Sequence, residues 1–286
     1  MHWNLNSLKA HNFDRIRLLE SYNSNENLDI MAISETALSS SISDDDIKIN
    51  GYNILRRDLP TNQTHGGVML YFKETMALKE CVELENHPNF LVTEITFGRK
   101  KVFFTLIYRK FGQTFEEFEN FSNKFTELCN AIKLKKPYMS IFVGDFNAHS
   151  STWWSGDKND YFGTHLDQVF DSEGLHQLVN KPTYLVGNSA SCIDLVLTNQ
   201  PNLFIECEIH PSLHSTCHHQ INFSKVNIDN PPPKPYKRRL WHYNRADTEA
   251  IQRSINGFDW SGNLDARAHD VDLQVSFFTK TIQNII

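Results

Sequence analysis

The chain has 286 residues, 40% of them hydrophobic and 12% aromatic, which suits one large folded domain or two ordinary ones. A net charge of −6 and a pI near 6.1 argue against a protein that coats nucleic acid by bulk charge, but not against a nuclease, whose cleft needs acidic groups to hold cations. No run approaches the roughly 18 apolar residues of a membrane span. The first residues do not form a signal peptide. Five scattered cysteines with no CxxC pair read as reduced, intracellular thiols.

In chain order, His2 to Leu8 reads as the tail of a strand and Lys9 to Ser21 as a helix. Leu28 to Ser34 is a buried strand closed by Glu35. Asp44 to Ile54 leads through a Gly-Tyr turn into another extended piece, and Arg56-Arg57-Asp58 opens a polar loop. Strands follow at Val68 to Phe72, Leu91 to Phe97 and Lys101 to Tyr108. Apolar residues from Phe115 to Ile132 repeat with helical spacing over Thr114 to Ile132. Met139 to Val143 is a short apolar strand broken by Gly144, of the kind buried on both faces. Trp153 and Trp154 sit in the loop after it. Gly163 to Leu178 reads as an amphipathic helix and Cys192 to Leu197 as a strand. A histidine-rich loop carrying His210, His214, His218 and His219 then precedes the short strand Gln220 to Phe223. A Pro-rich, basic stretch occupies 226–240, where four prolines exclude a sheet interior. Ala246 to Ile255 and Val271 to Ile286 look helical. Strands that are apolar throughout, with few helices between them, predict an α/β-sandwich of two face-to-face sheets with helices outside.

Polar residues recur at the ends of these strands. Asp145 and Asn147 share one side in extended geometry, and a carboxylate beside a carboxamide can orient a water and take its proton. The same pair equally suits an Asx turn. Glu35 is either a strand end or the start of a helix, and Tyr108 is a rim residue with a buried ring. Asp194, isolated in a buried strand, needs a partner, because an unpaired buried carboxylate is costly. His218 and His219 read on their own as a solvated pair. Trp153 and Trp154 serve either as stacking or wedging groups for bases or as loop packing.

These residues follow one template in order. The sequence resembles the endonuclease/exonuclease/phosphatase superfamily, and most of all the endonuclease domain of non-LTR (LINE-type) retrotransposons. The resemblance is carried by Trp-Asn-Leu-Asn-Ser-Leu at 3–8, Ser-Glu-Thr at 34–36, Ile-Tyr-Arg at 107–109, Gly-Asp-Phe-Asn-Ala-His at 144–149, Ser-Cys-Ile-Asp-Leu-Val-Leu at 191–197 and His218-His219. It implies a four-layer α/β-sandwich over residues 1–225, a linker over 226–240, and a helical tail over 241–286 that starts a connector to a reverse transcriptase. The activity it implies is hydrolysis of phosphodiesters with magnesium or manganese, on DNA, in the nucleus, by a domain that is monomeric and needs no small-molecule cofactor. The implied roles are Glu35 and Asn6 at the metal, Asp145 and Asn147 at the attacking water, and Asn4, Asn147, Tyr108 and His219 at the phosphate. Asp194 would hold His219. Arg56, Arg57, Arg109, Trp153 and Trp154 are the expected DNA contacts. The superfamily usually ends in Ser-Asp-His, where this chain has Cys217-His218-His219. Other phosphoesterases of the superfamily (abasic-site nuclease, deadenylase, phosphatase) and an inactive DNA-binding relic are the alternatives.

Overall fold

Several strands lose the alternation of apolar and polar residues because both of their faces are covered. In Val68–Lys73 the residues Val68 and Leu70 pack into one apolar cluster, while Met69 and Tyr71 pack into another on the opposite face. The structure is a computed structural model that describes residues 1–9, 13–59, 65–228, 247–267 and 269–285.

The elements up to the middle of the chain are β1 (His2–Asn4), α1 (Asp14–Glu26), β2 (Ile30–Ser34), β3 (Tyr52–Arg57), β4 (Val68–Lys73), β5 (Leu78–Glu80), β6 (Phe90–Phe97), β7 (Lys100–Tyr108), α2 (Phe115–Leu134) and β8 (Met139–Asp145). Then come α3 (Tyr161–Ser172), β9 (His176–Gln177), β10 (Tyr184–Val186), β11 (Ser189–Ser191), β12 (Asp194–Thr198), β13 (Phe204–His210), β14 (Ile221–Val226), α4 (Thr248–Gly257), α5 (Trp260–Asp265) and α6 (Val271–Ile285). One mixed sheet has the order β13-β14-β1-β2-β4-β3 and the other β5-β6-β7-β8-β12-β9, with β10-β11 as a separate hairpin.

Four layers result. Ile16 and Leu19 of α1 lie on the outer face of the first sheet with Trp3, Met31 and Ile33. On the second sheet, α2 buries Phe118, Phe121, Phe125, Leu128 and Ile132, each contributing roughly 1.5–3 kcal/mol on burial. Thr114 starts α2 with a capping box, accepting from Glu117 N while the Glu117 carboxylate accepts from Thr114 N. The α/β-sandwich expected from the sequence is therefore the one that forms.

Several boundaries differ from expectation. The first helix runs Asp14–Glu26 instead of Lys9 to Ser21, because Phe13 (φ 63°) and Asn27 (φ 51°) bracket it in left-handed conformations. Arg56 and Arg57 finish strand β3 and do not open a loop. The helix expected to reach Leu178 ends at Ser172, where Gly174 (φ 65°) turns the chain into β9. The hairpin β10-β11 and the strand β13 were not anticipated, and His210, expected in a loop, ends β13.

Two compact units divide the chain, Met1–Asn230 and Pro231–Ile286. Within the second, Asp247 and Asp259 cap α4 and α5, and Phe258, Trp260, Phe277 and Phe278 make ring contacts. Most of the Pro-rich basic stretch, including Lys234 to Arg239, lies outside the described residues. Among the described residues no helix is long and apolar enough to cross a membrane.

Candidate active site

Strand register assembles the site. Across the parallel pair β7-β8, Tyr108 is opposite Asp145, and across the antiparallel pair β8-β12, Asp145 is opposite Asp194. Three residues far apart in sequence thus stand in one row at one rim. In the facing sheet, Asn4 is opposite Ser34, so the ends of β1 and β2 present Asn4 and Glu35 at the same rim.

Asn4 joins the two sheets: its Nδ2 donates to Glu35 Oε1 at 2.9 Å and to Asp145 Oδ2 at 2.8 Å, and its Oδ1 accepts from Asn6 N at 3.1 Å. Asp145 is fully buried, and its Oδ1 accepts from Asn147 N at 2.9 Å. Burial, with the nearby charges of Asp194 and Glu35, raises the Asp145 carboxyl well above its usual range, against the opposing pull of His219 and Asn4. The Tyr108 hydroxyl shares a hydrogen bond with Glu35, and burial, with the nearby Glu35 and Asp145 charges, pushes its pKa above that of a free phenol.

His219 is 7% exposed, and its Nδ1 is 2.9 Å from Asp194 Oδ2. Burial alone would lower its pKa. The charge and hydrogen bond of Asp194, with Asp145 and Glu35 beyond, outweigh that and raise it to about 9. The Asp194 backbone is held by Thr183, whose Oγ1 accepts from Ile193 N and Asp194 N, and by Asn222 Nδ2, which donates to the Asp194 carbonyl. Trp3 Nε1 donates to the His219 carbonyl at 3.1 Å. His218 is exposed, and its ring lies edge-on to Tyr184, which also packs against His219.

Backbone strain is concentrated here. Asn6 (φ 47°), Glu35 (φ 52°) and Asn147 (φ 45°) are all left-handed non-glycine residues, each costing on the order of 1–3 kcal/mol. Gly144 has φ 150°, and a Cβ on it would lie 1.8 Å from the Ile107 carbonyl oxygen. Only glycine fits where β8 must pass β7 and still deliver Asp145.

The expected DNA contacts fall elsewhere. Arg109 is 1% exposed: it donates to the carbonyls of Phe146 and Asn147 and to Gln113 Oε1, with its guanidinium over the rings of Phe162 and Phe118. Asn147 Nδ2 donates back to the Arg109 carbonyl at 2.8 Å. Arg109 therefore shapes the loop that presents Asn147, and its burial keeps it from a DNA surface. Trp153 is 4% exposed, stacked on Phe170 and bonded through Nε1 to Asp167, so it packs the loop. Trp154 is half-buried. Arg56 pairs with Asp44 and Asp58, and Arg57 with Glu80 and Glu85, so both cations are engaged within the protein. Sequence reasoning missed Thr183, Asn222 and Trp3 as supports. Asn222 follows apolar Ile221 at the start of a strand, a weak signal, and Thr183 gave none.

The site suits a divalent cation. Ligand atoms of Glu35, Asp145 and His219 all lie within 4.8 Å of one another. The carboxylates are hard oxygen donors, and Asp145, raised first by burial and then by the charges of Asp194 and Glu35, sits where a cation would favour its ionised form. Asn6 is exposed at the same loop.

Residues 102–222 match the family profile described as "Endonuclease-reverse transcriptase". No curated protein matches the chain in sequence. Among solved structures, the endonuclease domain of TRAS1, a telomere-specific non-LTR retrotransposon, superposes with a TM-score of 0.61 at 18% identity, over 74% of this chain and 92% of that one. The catalytic domain of Xenopus laevis APE2 gives 0.59 at 19% identity, over 79% and 91%. The AP endonuclease LMAP from Leishmania major gives 0.65 at 11% identity, over 77% and 84%. Residues 102–222 are thus similar to that endonuclease–reverse transcriptase family, and the chain shares the fold of these endonuclease domains.

Proposed function

We propose that the protein is a divalent-metal-dependent DNA endonuclease that nicks target DNA for retrotransposon insertion. The carrying observation is the cluster of half-buried Glu35 with buried Asp145 and His219, with His219 held by Asp194. Residues 1–225 are the catalytic domain in this reading. The 226–240 stretch is a linker, and 241–286 starts a connector toward a reverse transcriptase. A DNA substrate places the action in the nucleus.

Glu35, with Asn6, would hold magnesium or manganese, which when bound neutralises phosphate charge and stabilises the leaving oxygen. Asp145 orients the attacking water and accepts its proton. Asn147, locked by Arg109, fixes the water and the phosphate. Asn4 and Tyr108 contact the phosphate from the two sheets. His219, cationic at neutral pH, donates to a non-bridging oxygen as charge builds there, and Asp194 on Nδ1 leaves Nε2 as the donor.

The test is nicking of supercoiled plasmid in Mg²⁺ beside Asp145→Ala and His219→Ala. Open-circle product that disappears in EDTA and in both variants supports the reading. No nicking by folded wild type under Mg²⁺ or Mn²⁺ overturns it, and turnover of abasic-site DNA, oligo(A) or a small phosphoester instead would select an alternative substrate.

A further inference from the structure

His2 is a buried titratable side chain that these roles leave unused. It is 1% exposed, and its Nε2 lies 2.9 Å from Ser34 Oγ. Its Nδ1 faces Asp194 Oδ1 at 3.9 Å, beyond hydrogen-bond reach, and neither atom has a hydrogen-bond partner. Burial holds the His2 pKa down to about 4, against the pull of Asp194, so the ring is neutral and carries one N–H. Ser34 Oγ can donate or accept and so permits either tautomer. Only the Nδ1–H form avoids aiming a lone pair at the Asp194 carboxylate.

Asn222 completes the arrangement. It is opposite His2 across the β1-β14 pair and 1% exposed, and its Nδ2 donates to the Asp194 carbonyl while its Oδ1 has no partner. His2 Nδ1, Asp194 Oδ1 and Asn222 Oδ1 thus make one donor and two acceptors with nothing to bond. A water that accepted from the first and donated to the other two would make the usual three bonds of a buried water. His2 and Asn222 also line a cavity of about 410 Å³ between the sheets.

We propose that His2 is a positioning residue for the nuclease reaction: with Asn222 it holds one internal water on Asp194 Oδ1, fixing the carboxylate whose other oxygen orients His219. Without that support one oxygen of Asp194 is buried unpaired, and the carboxylate turns toward whatever donor it can find. Partners that orient a site residue in this way commonly contribute about 10–100-fold to activity.

The kinetic test rests on the nuclease reading and uses His2→Leu and His2→Gln in the full 286-residue chain. The leucine removes both polar contacts, whereas glutamine keeps one donor and one acceptor. The expected result is a fall in kcat of about 10-fold for His2→Leu with KM unchanged, and recovery to within about 3-fold of wild type in His2→Gln. Wild-type kcat in folded His2→Leu overturns the proposal, as does an equal loss in both variants. A high-resolution crystal structure of the wild type supplies an arm that needs no activity. An ordered solvent peak within hydrogen-bond distance of all three atoms supports the water, and a refined, well-ordered site without one overturns it. Wild type that nicks nothing but shows the peak would sink the nuclease reading alone.

Discussion

The two ends of the sandwich are built on opposite terms. At the rim where β1, β7 and β8 end, carboxylates are buried close together and three non-glycine residues sit in left-handed conformations. At the other end, near Ile30, Val102, Phe104, Phe204 and Val226, apolar side chains line the cavity of about 410 Å³. One end carries strain and charge, and the other carries incomplete packing. Chemistry needs atoms fixed to within a fraction of an ångström, so the rim is dense and over-constrained. The far end has only to keep the sheets together, and loose packing is tolerated there. The comparison makes the rim sensitive to substitutions that the far end should absorb.

The largest effect belongs to the charged pair that aims the donor. Asp194→Asn leaves the shape but loses the charge and the preference for one His219 tautomer, and kcat for plasmid nicking should fall by roughly 10³–10⁴-fold with little change in KM. A loss below about 10-fold would mean that His219 is oriented by its packing against Tyr184 and not by Asp194.

Next comes Gly144→Ala. With φ 150° and a new Cβ 1.8 Å from the Ile107 carbonyl oxygen, β8 cannot keep its register with β7. We expect a loss of about 3 kcal/mol or more in urea unfolding. Unchanged stability would show that the rim is less constrained than its geometry implies.

The rim should also betray itself through pH. In metal-free protein the His219 pKa is about 9, raised from the 6.5 of the unfolded chain. The folded state then binds more protons than the unfolded state between those values, so stability falls as pH rises. His219 contributes fully below about pH 6.5 and nothing above about pH 9. Asp145 is also raised and so acts in the same direction. Thermal melts in EDTA from pH 6 to 9.5 should lose about 1–3 kcal/mol, and His219→Gln should flatten the slope. Adding Mg²⁺ should raise the melting temperature, by the equivalent of about 2.7 kcal/mol at 100-fold excess over its dissociation constant, and Glu35→Gln should weaken that response. A melting temperature indifferent to both pH and metal would remove the charge cluster as the distinguishing feature of the rim.

Much of this rim was legible in the sequence, because a polar residue at the end of an apolar run is conspicuous. Asp145, Asn147, Asp194 and Glu35 were all visible in that way, and their order carried the resemblance. What could not be read was direction. Arg109 follows a strand as a DNA contact would, yet its guanidinium turns inward to backbone carbonyls. Trp153 looks like a stacking group until its Nε1 is seen on Asp167. Helix ends were misjudged where a left-handed residue such as Asn27 or Gly174 decides the stop, because apolar spacing says nothing about backbone sign. The strand β13 was missed because only part of each of its faces is buried, which weakens the period-2 signal. Asn222, His2 and Thr183 act through register and loop closure, which become visible only when β1, β12 and β14 are side by side.

The smallest effects sharpen the comparison most. Val102 is buried in the wall of the far-end cavity, so Val102→Ile adds one methylene group where there is space for it. Burying that group should stabilise the protein by about 0.8 kcal/mol. Ala148, also fully buried, stands in the loop that presents Asn147, and Ala148→Val has no cavity to enter. Overpacking there should cost about 1–3 kcal/mol and lower kcat as the loop shifts. Urea titration of both variants, with unchanged slopes, gives the two values directly. Opposite signs would show that tolerance at one end and intolerance at the other are properties of local packing. Equal losses would show that the far-end cavity is as rigid as the rim, and that its shape, and with it the setting of His2, is maintained for a reason.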